Sequence, residues 1–134
     1  MDRPGPTRDG NKPMVDIQRA RANLLKREEI RREARRKRFE AASGDFARIV
    51  EMIIDRYSPR RIVQWGSLLH PDQFDESSDI DIAVEGITDA DRYFALLGDA
   101  MALTRFRVDI VQLEKIEPEF AELIRLKGKV LYES

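Results

Sequence analysis

The sequence predicts an α/β domain that follows a long, basic helix. Short apolar segments rich in β-branched residues alternate with amphipathic helical segments from about residue 60 to the C-terminus. The charge is divided unevenly: residues 1–42 hold 13 Lys and Arg against 7 Asp and Glu, whereas residues 43–134 hold 11 against 18. An acidic globular body is therefore expected to carry a basic N-terminal arm.

The composition limits the chemistry that this chain can perform. It has 134 residues, of which 42% are hydrophobic and 37% are charged, as expected for one small domain plus a solvated segment. The absence of cysteine excludes disulfides, thiolate nucleophiles and cysteine-based zinc sites, and a single histidine, His70, cannot build a histidine metal centre. Any bound metal must therefore have oxygen ligands.

The sequence gives no sign of a membrane partner. No apolar run approaches the roughly 20 residues that cross a bilayer, and the N-terminus lacks the apolar segment of a signal peptide. We therefore expect a cytoplasmic protein.

The first 42 residues fall into two segments. Residues 1–14 contain three prolines and two glycines without apolar periodicity, which predicts disorder. Residues 15–42 have the composition of a long helix rich in Arg, Glu, Lys and Ala with a thin apolar stripe. This arm could be a solvated helix, a partner-docking helix or a nucleic-acid contact; interleaved Glu residues weaken the positive field and make the last alternative the least favoured.

We expect the globular domain to comprise residues 43–134. Ser43-Gly44-Asp45 is predicted to interrupt the helix and to cap a second one, whose apolar residues recur at helical spacing from Phe46 to Tyr57. Ser58-Pro59 should end that helix, because the residue before a proline avoids the helical region.

A strand at residues 62–65 is followed by Gly66-Ser67, a candidate phosphate-binding turn. Glycine lets the backbone come close to a ligand, and a following helical turn would aim N–H groups and the Ser67 hydroxyl at an anion. Leu68 and Leu69 predict such a turn before the chain opens into a polar loop. Trp65 could stack on a base or belong to the core, and His70 could be a general base or a solvated loop residue.

Acidic residues mark the next two strands as a candidate metal site. In a strand at residues 79–84, Asp79 and Asp81 project from one face, while the apolar residues at 80, 82 and 84 fill the other. Two adjacent carboxylates repel each other unless a proton or a cation intervenes, and Mg²⁺ favours such oxygen clusters. Asp109 lies in a strand at residues 106–113 that is expected to be otherwise buried, where it needs a cation or a partner such as Arg105 or Arg107.

Three further elements complete the predicted fold. Thr88 should cap an amphipathic helix that reaches about residue 103. Glu117-Pro118-Glu119 should open another helix, with Phe120, Leu123, Ile124 and Lys127 on one stripe, and Gly128 should end it. Residues 130–132 can then add an edge strand.

The ordered set of Gly66-Ser67, Asp79-x-Asp81 and a later strand acid, Asp109, resembles the nucleotidyltransferase superfamily that includes DNA polymerase β. In particular, the chain is similar to minimal nucleotidyltransferases, many of which are encoded beside a HEPN-domain toxin as its antitoxin. The similarity spans about residues 45–132. It implies a small mixed β-sheet flanked by helices, here preceded by the long basic helix.

The resemblance also implies a reaction and roles. Asp79 and Asp81 would ligate two Mg²⁺ ions, Asp109 would ligate the ion that activates the acceptor, and Gly66 with Ser67 would hold the β- and γ-phosphates. The protein would transfer AMP from ATP, or a nucleotide from another triphosphate, to a hydroxyl of a partner HEPN toxin, with tyrosine as the expected acceptor. The two proteins would form a hetero-oligomer.

One departure leaves other functions open. Many active relatives follow the Gly-Ser pair with a basic residue, whereas this chain has Leu68-Leu69-His70-Pro71. The alternatives are an antitoxin that neutralises its partner by binding alone, with the Arg-rich helix as a clamp, and a small-molecule nucleotidyltransferase of the aminoglycoside-modifying kind. The latter is less favoured because those enzymes usually carry an additional helical domain for the acceptor.

Overall fold

The computed structural model describes residues 11–134, and their side chains from residue 16 onward. The described chain contains three α-helices, four strands and two short 3₁₀ turns, at Ser67–Leu69 and Pro71–Gln73. In chain order the helices and strands are α1 (Asn11–Tyr57), β1 (Arg61–Gln64), β2 (Ile80–Glu85), α2 (Ala90–Met101), β3 (Val108–Gln112), α3 (Pro118–Lys127) and β4 (Lys129–Glu133).

The strands form one mixed sheet in the order β3-β2-β1-β4. Strand β1 pairs antiparallel with both β2 and β4, whereas β2 and β3 are parallel and are joined by a crossover through α2. The expectation of a mixed α/β sheet is therefore confirmed, as is the placement of the last strand at an edge. None of the helices in residues 11–134 combines the length and apolar composition needed to cross a membrane.

Alternating side chains give the sheet two different faces. Ile80, Ile82 and Val84 of β2 are fully buried in the larger core, which the apolar residues of α1 and α2 complete. On the opposite face, Ala83 packs in a smaller core with Val63 of β1 and the buried residues of α3. Asp81 shares this second face with Ala83, so the sequence-based separation of acids from apolar residues along β2 is confirmed.

Helix α1 runs through the segment where we expected an interruption. Ala42, Phe46 and Ile49 are buried at helical spacing across Ser43-Gly44-Asp45, so packing on the sheet keeps this segment helical. The predicted cap is wrong: the Asp45 carboxylate pairs with Arg48 and accepts a 2.6 Å hydrogen bond from the Thr104 hydroxyl. Asp45 thereby ties α1 to the loop after α2.

The N-terminal part of the chain is divided differently from the sequence prediction. The helix begins at Asn11 and so includes residues 11–14, while residues 1–10 of the segment predicted to be disordered lie outside the described residues. One compact unit ends at Ala34, and the other comprises Arg35–Ser134. In the first unit the side chains from residue 16 onward are exposed, including the apolar Ile17, Leu24, Leu25 and Ile30.

The ends of the shorter helices follow local capping chemistry. The cap of α2 is Asp89 rather than Thr88, because the Asp89 carboxylate accepts a 3.0 Å hydrogen bond from the Arg92 N–H. Helix α3 has Pro118 in its first turn and ends at Gly128, as predicted. The short turn predicted at Leu68 and Leu69 is also present, as the first 3₁₀ turn.

Candidate functional site

Gly66 joins strand β1 to the first 3₁₀ turn and lies against the Asp81 carboxyl group. Its φ of +84° falls where side-chain-bearing residues are strained. A Cβ atom at this position would come within 2.9 Å of the Asp81 Cγ and 3.0 Å of the Asp81 Cβ. Both the backbone conformation and the close approach therefore require glycine here.

The register of the sheet brings the predicted acids together. Asp81 on β2 and Asp109 on β3 are partners in the parallel ladder, and Asp79 immediately precedes β2. Burial raises the pKa of Asp81 from 3.8 to about 7, and the negative charges of Asp109 and Asp79 add to the rise. Asp79 and Asp109 thus both act on the partly buried Asp81 beside Gly66. Asp109 itself is exposed, so the expectation that its position in the strand is buried is wrong.

Two neighbours of these acids were not predicted. The Arg107 Nε donates a 2.9 Å hydrogen bond to Asp79, whereas the sequence suggested Arg107 as a partner for Asp109. The Tyr93 hydroxyl donates to the Ile110 carbonyl at 2.7 Å; burial, followed by the charge of Asp109, raises the tyrosine pKa. Arg107 therefore neutralises one of the acids, and α2 supplies a tyrosine beside another.

The donor set suits a hard divalent cation in chemistry and charge. Mg²⁺ binds carboxylate oxygens. A bound cation would also offset the repulsion between the Asp81 carboxylate and the negative charges of Asp79 and Asp109. Within residues 11–134, however, no group of three or more His, Cys, Asp and Glu side chains is arranged to hold a metal ion as it stands. The Asp79 Oδ1 accepts the hydrogen bond from Arg107, so an ion would either share this carboxylate with Arg107 or displace it.

A cavity of about 360 Å³ lies between the turn that begins at Gly66 and helix α3. Aromatic and aliphatic side chains form most of its wall, together with the Gly66-Ser67 turn and one lysine. The lining residues are Trp65, Gly66, Ser67, Leu69, His70, Gln73, Phe120, Leu123, Ile124, Lys127 and Gly128.

Trp65 and His70, for which the sequence left two roles each, both line this cavity. Trp65 is partly buried, packs on the smaller core and makes an edge contact with Phe120, with 5.6 Å between the ring centroids. Its indole Nε1 is buried without a hydrogen-bond acceptor in the described part of the chain. His70 is exposed. The geometry therefore supports Trp65 as a structural wall residue, and a catalytic role for His70 stays untested.

Sequence reasoning missed the position of Lys127 next to the Gly66-Ser67 turn. The glycine at residue 128 was the clue in the sequence to a close contact at the end of α3. In the structure, a Cβ at that residue would lie 2.6 Å from the Val63 Cγ1 and 2.8 Å from the Gln64 carbonyl oxygen. The end of α3 can approach β1 this closely only without a side chain at residue 128. The sequence predicted that Gly128 ends the helix but not which strand it contacts.

Comparisons with known proteins agree with this arrangement. A family model described as "Polymerase beta, Nucleotidyltransferase" matches residues 48–134. No curated protein gives a significant match.

Solved structures of a toxin–antitoxin complex, MntA–HepT, have a similar fold. One chain has a TM-score of 0.53 and 21% sequence identity, over 69% of this chain and 73% of that chain. Chains from two mutants of the complex give TM-scores of 0.54 and 0.55, with 24% and 22% identity. Each alignment covers 66% of this chain, and 72% and 73% respectively of the matched chains. At these identities the likeness shows a common fold.

Proposed function

Since this chain belongs to the polymerase β nucleotidyltransferase family, we propose that it is a Mg²⁺-dependent enzyme that transfers AMP from ATP to a hydroxyl group of a partner protein. The observation that carries the proposal is the packing of Gly66 against Asp81, with Asp109 as the ladder partner of Asp81. The contact between a turn suited to phosphate and Asp81, an acid suited to metal ions, supports the proposal.

Each part of the site has a role that its chemistry supports. The Gly66 backbone and the Ser67 hydroxyl would bind and orient the β- and γ-phosphates, while Asp79, Asp81 and Asp109 would hold the Mg²⁺ ions. Bound as a pair, such ions neutralise phosphate charge and lower the pKa of the acceptor hydroxyl. Arg107, which is hydrogen-bonded to Asp79, supplies a positive charge at this edge of the site.

The transfer replaces the phosphoanhydride bond between the α- and β-phosphates of ATP with a phosphodiester bond to the acceptor. The acceptor oxygen forms a bond to the α-phosphorus while the bond from that phosphorus to the bridging oxygen breaks, so pyrophosphate leaves. The hydroxyl proton passes to solvent. The protein contributes chiefly by holding the attacking and leaving oxygens in line and by stabilising the charge that develops.

A toxin is the partner that best accounts for the comparisons. The solved structures of similar fold are toxin–antitoxin complexes, which favours a toxin as the protein that presents the acceptor. The protein then acts as the antitoxin, and the acceptor is a tyrosine hydroxyl of a HEPN-type toxin with which it forms a hetero-oligomer.

The test uses the full chain, ATP labelled at the α-phosphate, Mg²⁺ and the product of the adjacent gene. Label should appear on the partner, with release of pyrophosphate, and Asp81→Asn should abolish both. Asp55→Asn removes one charge from the exposed surface of α1 and should leave transfer unchanged. If the wild-type chain binds the partner yet transfers no label, the proposal is wrong.

Neutralisation by binding alone is the second candidate. Two observations favour it: Arg107 pairs with Asp79, and no Lys or Arg occurs at residues 68–78 after the Gly-Ser pair. An Asp79→Asn/Asp81→Asn double variant separates the two functions. A double variant that still protects cells from the partner toxin supports binding, whereas loss of protection with retained complex formation supports catalysis.

A further inference from the structure

We propose that Lys127, at the end of α3, binds the terminal phosphates of the nucleoside triphosphate and so supplies the cation that the loop after Gly66-Ser67 lacks. This assignment rests on the proposed function, because it concerns the same substrate and the same turn. It makes α3, and not the loop, the element that recognises the triphosphate tail.

The site needs a positive charge that the local sequence does not provide. A nucleoside triphosphate carries about four negative charges, which protein sites offset with cations and N–H groups. Residues 68–78, which follow the turn, contain no Lys or Arg but include Asp72, Asp75 and Glu76. The turn therefore lies beside a negatively charged loop, and a cation from elsewhere in the fold is required.

Among the residues whose side chains the structure describes, Lys127 is the one Lys or Arg that lines the cavity beside this turn. Gly66 and Ser67 form part of the same wall, whereas Asp79, Asp81 and Asp109 do not. Gly66 therefore lies between the acids and Lys127, because it touches Asp81 and also lines the cavity with Lys127. An α-phosphate near the acids would leave the terminal phosphates to extend past Gly66 toward Lys127.

The fold fixes the end of α3 at this place. Gly128 packs against Val63 and the Gln64 carbonyl, which immediately precede Trp65 and Gly66 in the chain. At the other end of the helix, Phe120 makes its edge contact with Trp65. Both ends of α3 are thus in contact with the strand that leads into the phosphate-binding turn.

Three arginines near the sheet already have partners. Arg107 is hydrogen-bonded to Asp79, Arg125 lies 3.3 Å from Glu85, and Arg105 lies over the Phe106 ring. Lys127 is exposed and, within residues 11–134, has neither an ion pair nor a hydrogen bond. Its ammonium group is therefore available to a ligand, and using it would break no contact in the fold.

The test measures binding by calorimetry in the presence of Mg²⁺, with ATP, inorganic tripolyphosphate and AMP as separate ligands. Lys127→Ala should weaken binding of ATP and of tripolyphosphate by about tenfold, the loss expected for one charge-assisted contact. AMP binding should not change, because AMP lacks the terminal phosphates. Lys127→Arg should keep most of the ATP affinity.

Lys129→Ala is the matched control. It removes the same charge from an exposed residue of β4, two positions away and outside the cavity wall, and should bind ATP like the wild type. Equal ATP affinity in Lys127→Ala and wild type would overturn the assignment and leave the proposed function intact. An equal loss for ATP and AMP, or an equal loss in Lys129→Ala, would also overturn it. A wild-type chain that binds no ATP would overturn the proposed function and this assignment together.

Discussion

Gly66 packs directly against the Asp81 carboxyl group, with space for a hydrogen atom but not for a methyl group. The contact links the residues that follow β1 to the acidic strand β2. It is the point at which the candidate phosphate-binding turn and the candidate metal ligands meet.

Gly66→Ala should therefore remove ATP binding and destabilise the fold. The added Cβ would overlap Asp81, and alanine is strained at a φ of +84°, for a combined cost of about 1–3 kcal/mol of unfolding free energy. Calorimetry with ATP and Mg²⁺ and chemical unfolding would measure the two effects.

Gly98→Ala is the control for this substitution. A Cβ at Gly98, which lies within α2, meets nothing within 4 Å, so alanine should stabilise the protein by about 0.5–1 kcal/mol and leave ATP binding unchanged. Comparable ATP affinity in Gly66→Ala and wild type would contradict the role of the close contact.

Asp81→Asn should make the protein more stable and catalytically inactive. Its carboxyl group is shielded from water beside two other acids, so replacing the charge with an amide removes repulsion and desolvation cost. We expect a gain on the order of 1 kcal/mol at pH 8 with EDTA present. Thermal unfolding would show it, and Asp55→Asn, on exposed α1 surface, should show no such gain. A less stable Asp81→Asn would mean that the carboxylate is favourably solvated or paired.

Glu85→Gln should be strongly destabilising. Glu85 is only 7% exposed, and its carboxylate lies 2.6 Å from Arg61 and 3.3 Å from Arg125. Neutralising it leaves Arg60, Arg61 and Arg125 without their common partner, and such a loss typically costs about 3–5 kcal/mol when the pair is buried. The partial exposure of the arginines and the remaining pair between Arg61 and Glu133 place the expected loss near the lower limit. Urea unfolding would measure it, with the exposed Glu122→Gln on α3 as control.

The same residue predicts how stability depends on pH. Burial alone would raise the pKa of Glu85, but attraction to Arg61 and Arg125 outweighs burial and holds the pKa below its usual 4.5. Because the folded-state pKa is lowered, this stabilisation is complete above the unfolded pKa and is lost as the pH falls through the folded value. Unfolding free energies measured from pH 6 to pH 3 should fall more steeply for wild type than for Glu85→Gln. Parallel curves would rule out Glu85 as a source of acid sensitivity.

Arg38→Ala should loosen the loop that leads to Asp79. The Arg38 guanidinium lies 5.2 Å from the centre of the Phe106 ring and donates a long hydrogen bond to the Glu76 carbonyl. Loss of the cation–π contact should cost about 1 kcal/mol. Amide hydrogen exchange at residues 74–79 should become faster, whereas Arg27→Ala, exposed in the N-terminal unit, should leave exchange there unchanged. Unaltered exchange in Arg38→Ala would show that Phe74, which is fully buried, holds the loop alone.

The sequence alone determined the features that depend on near neighbours in the chain. The alternation along residues 80–84 assigned Asp81 to the face opposite the isoleucines, and Pro118 and Gly128 gave the limits of α3, because these depend on strand pleat and on helix-end geometry. The ordered Gly-Ser and acidic residues were also enough to identify the family. Local rules failed where burial outweighed them, as at Ser43-Gly44-Asp45, which stays helical because apolar residues on both sides pack on the sheet.

The tertiary structure alone decided which distant residues meet. The register of β2 with β3 makes Asp109 the partner of Asp81, the course of β1 brings Gly66 against Asp81, and the docking of α3 brings Lys127 to the cavity beside Ser67. The pairing of Arg107 with Asp79 likewise joins residues 28 positions apart. Such contacts depend on the register between strands and on how helices dock on the sheet. The spacing of residues within one segment carries no information about that packing.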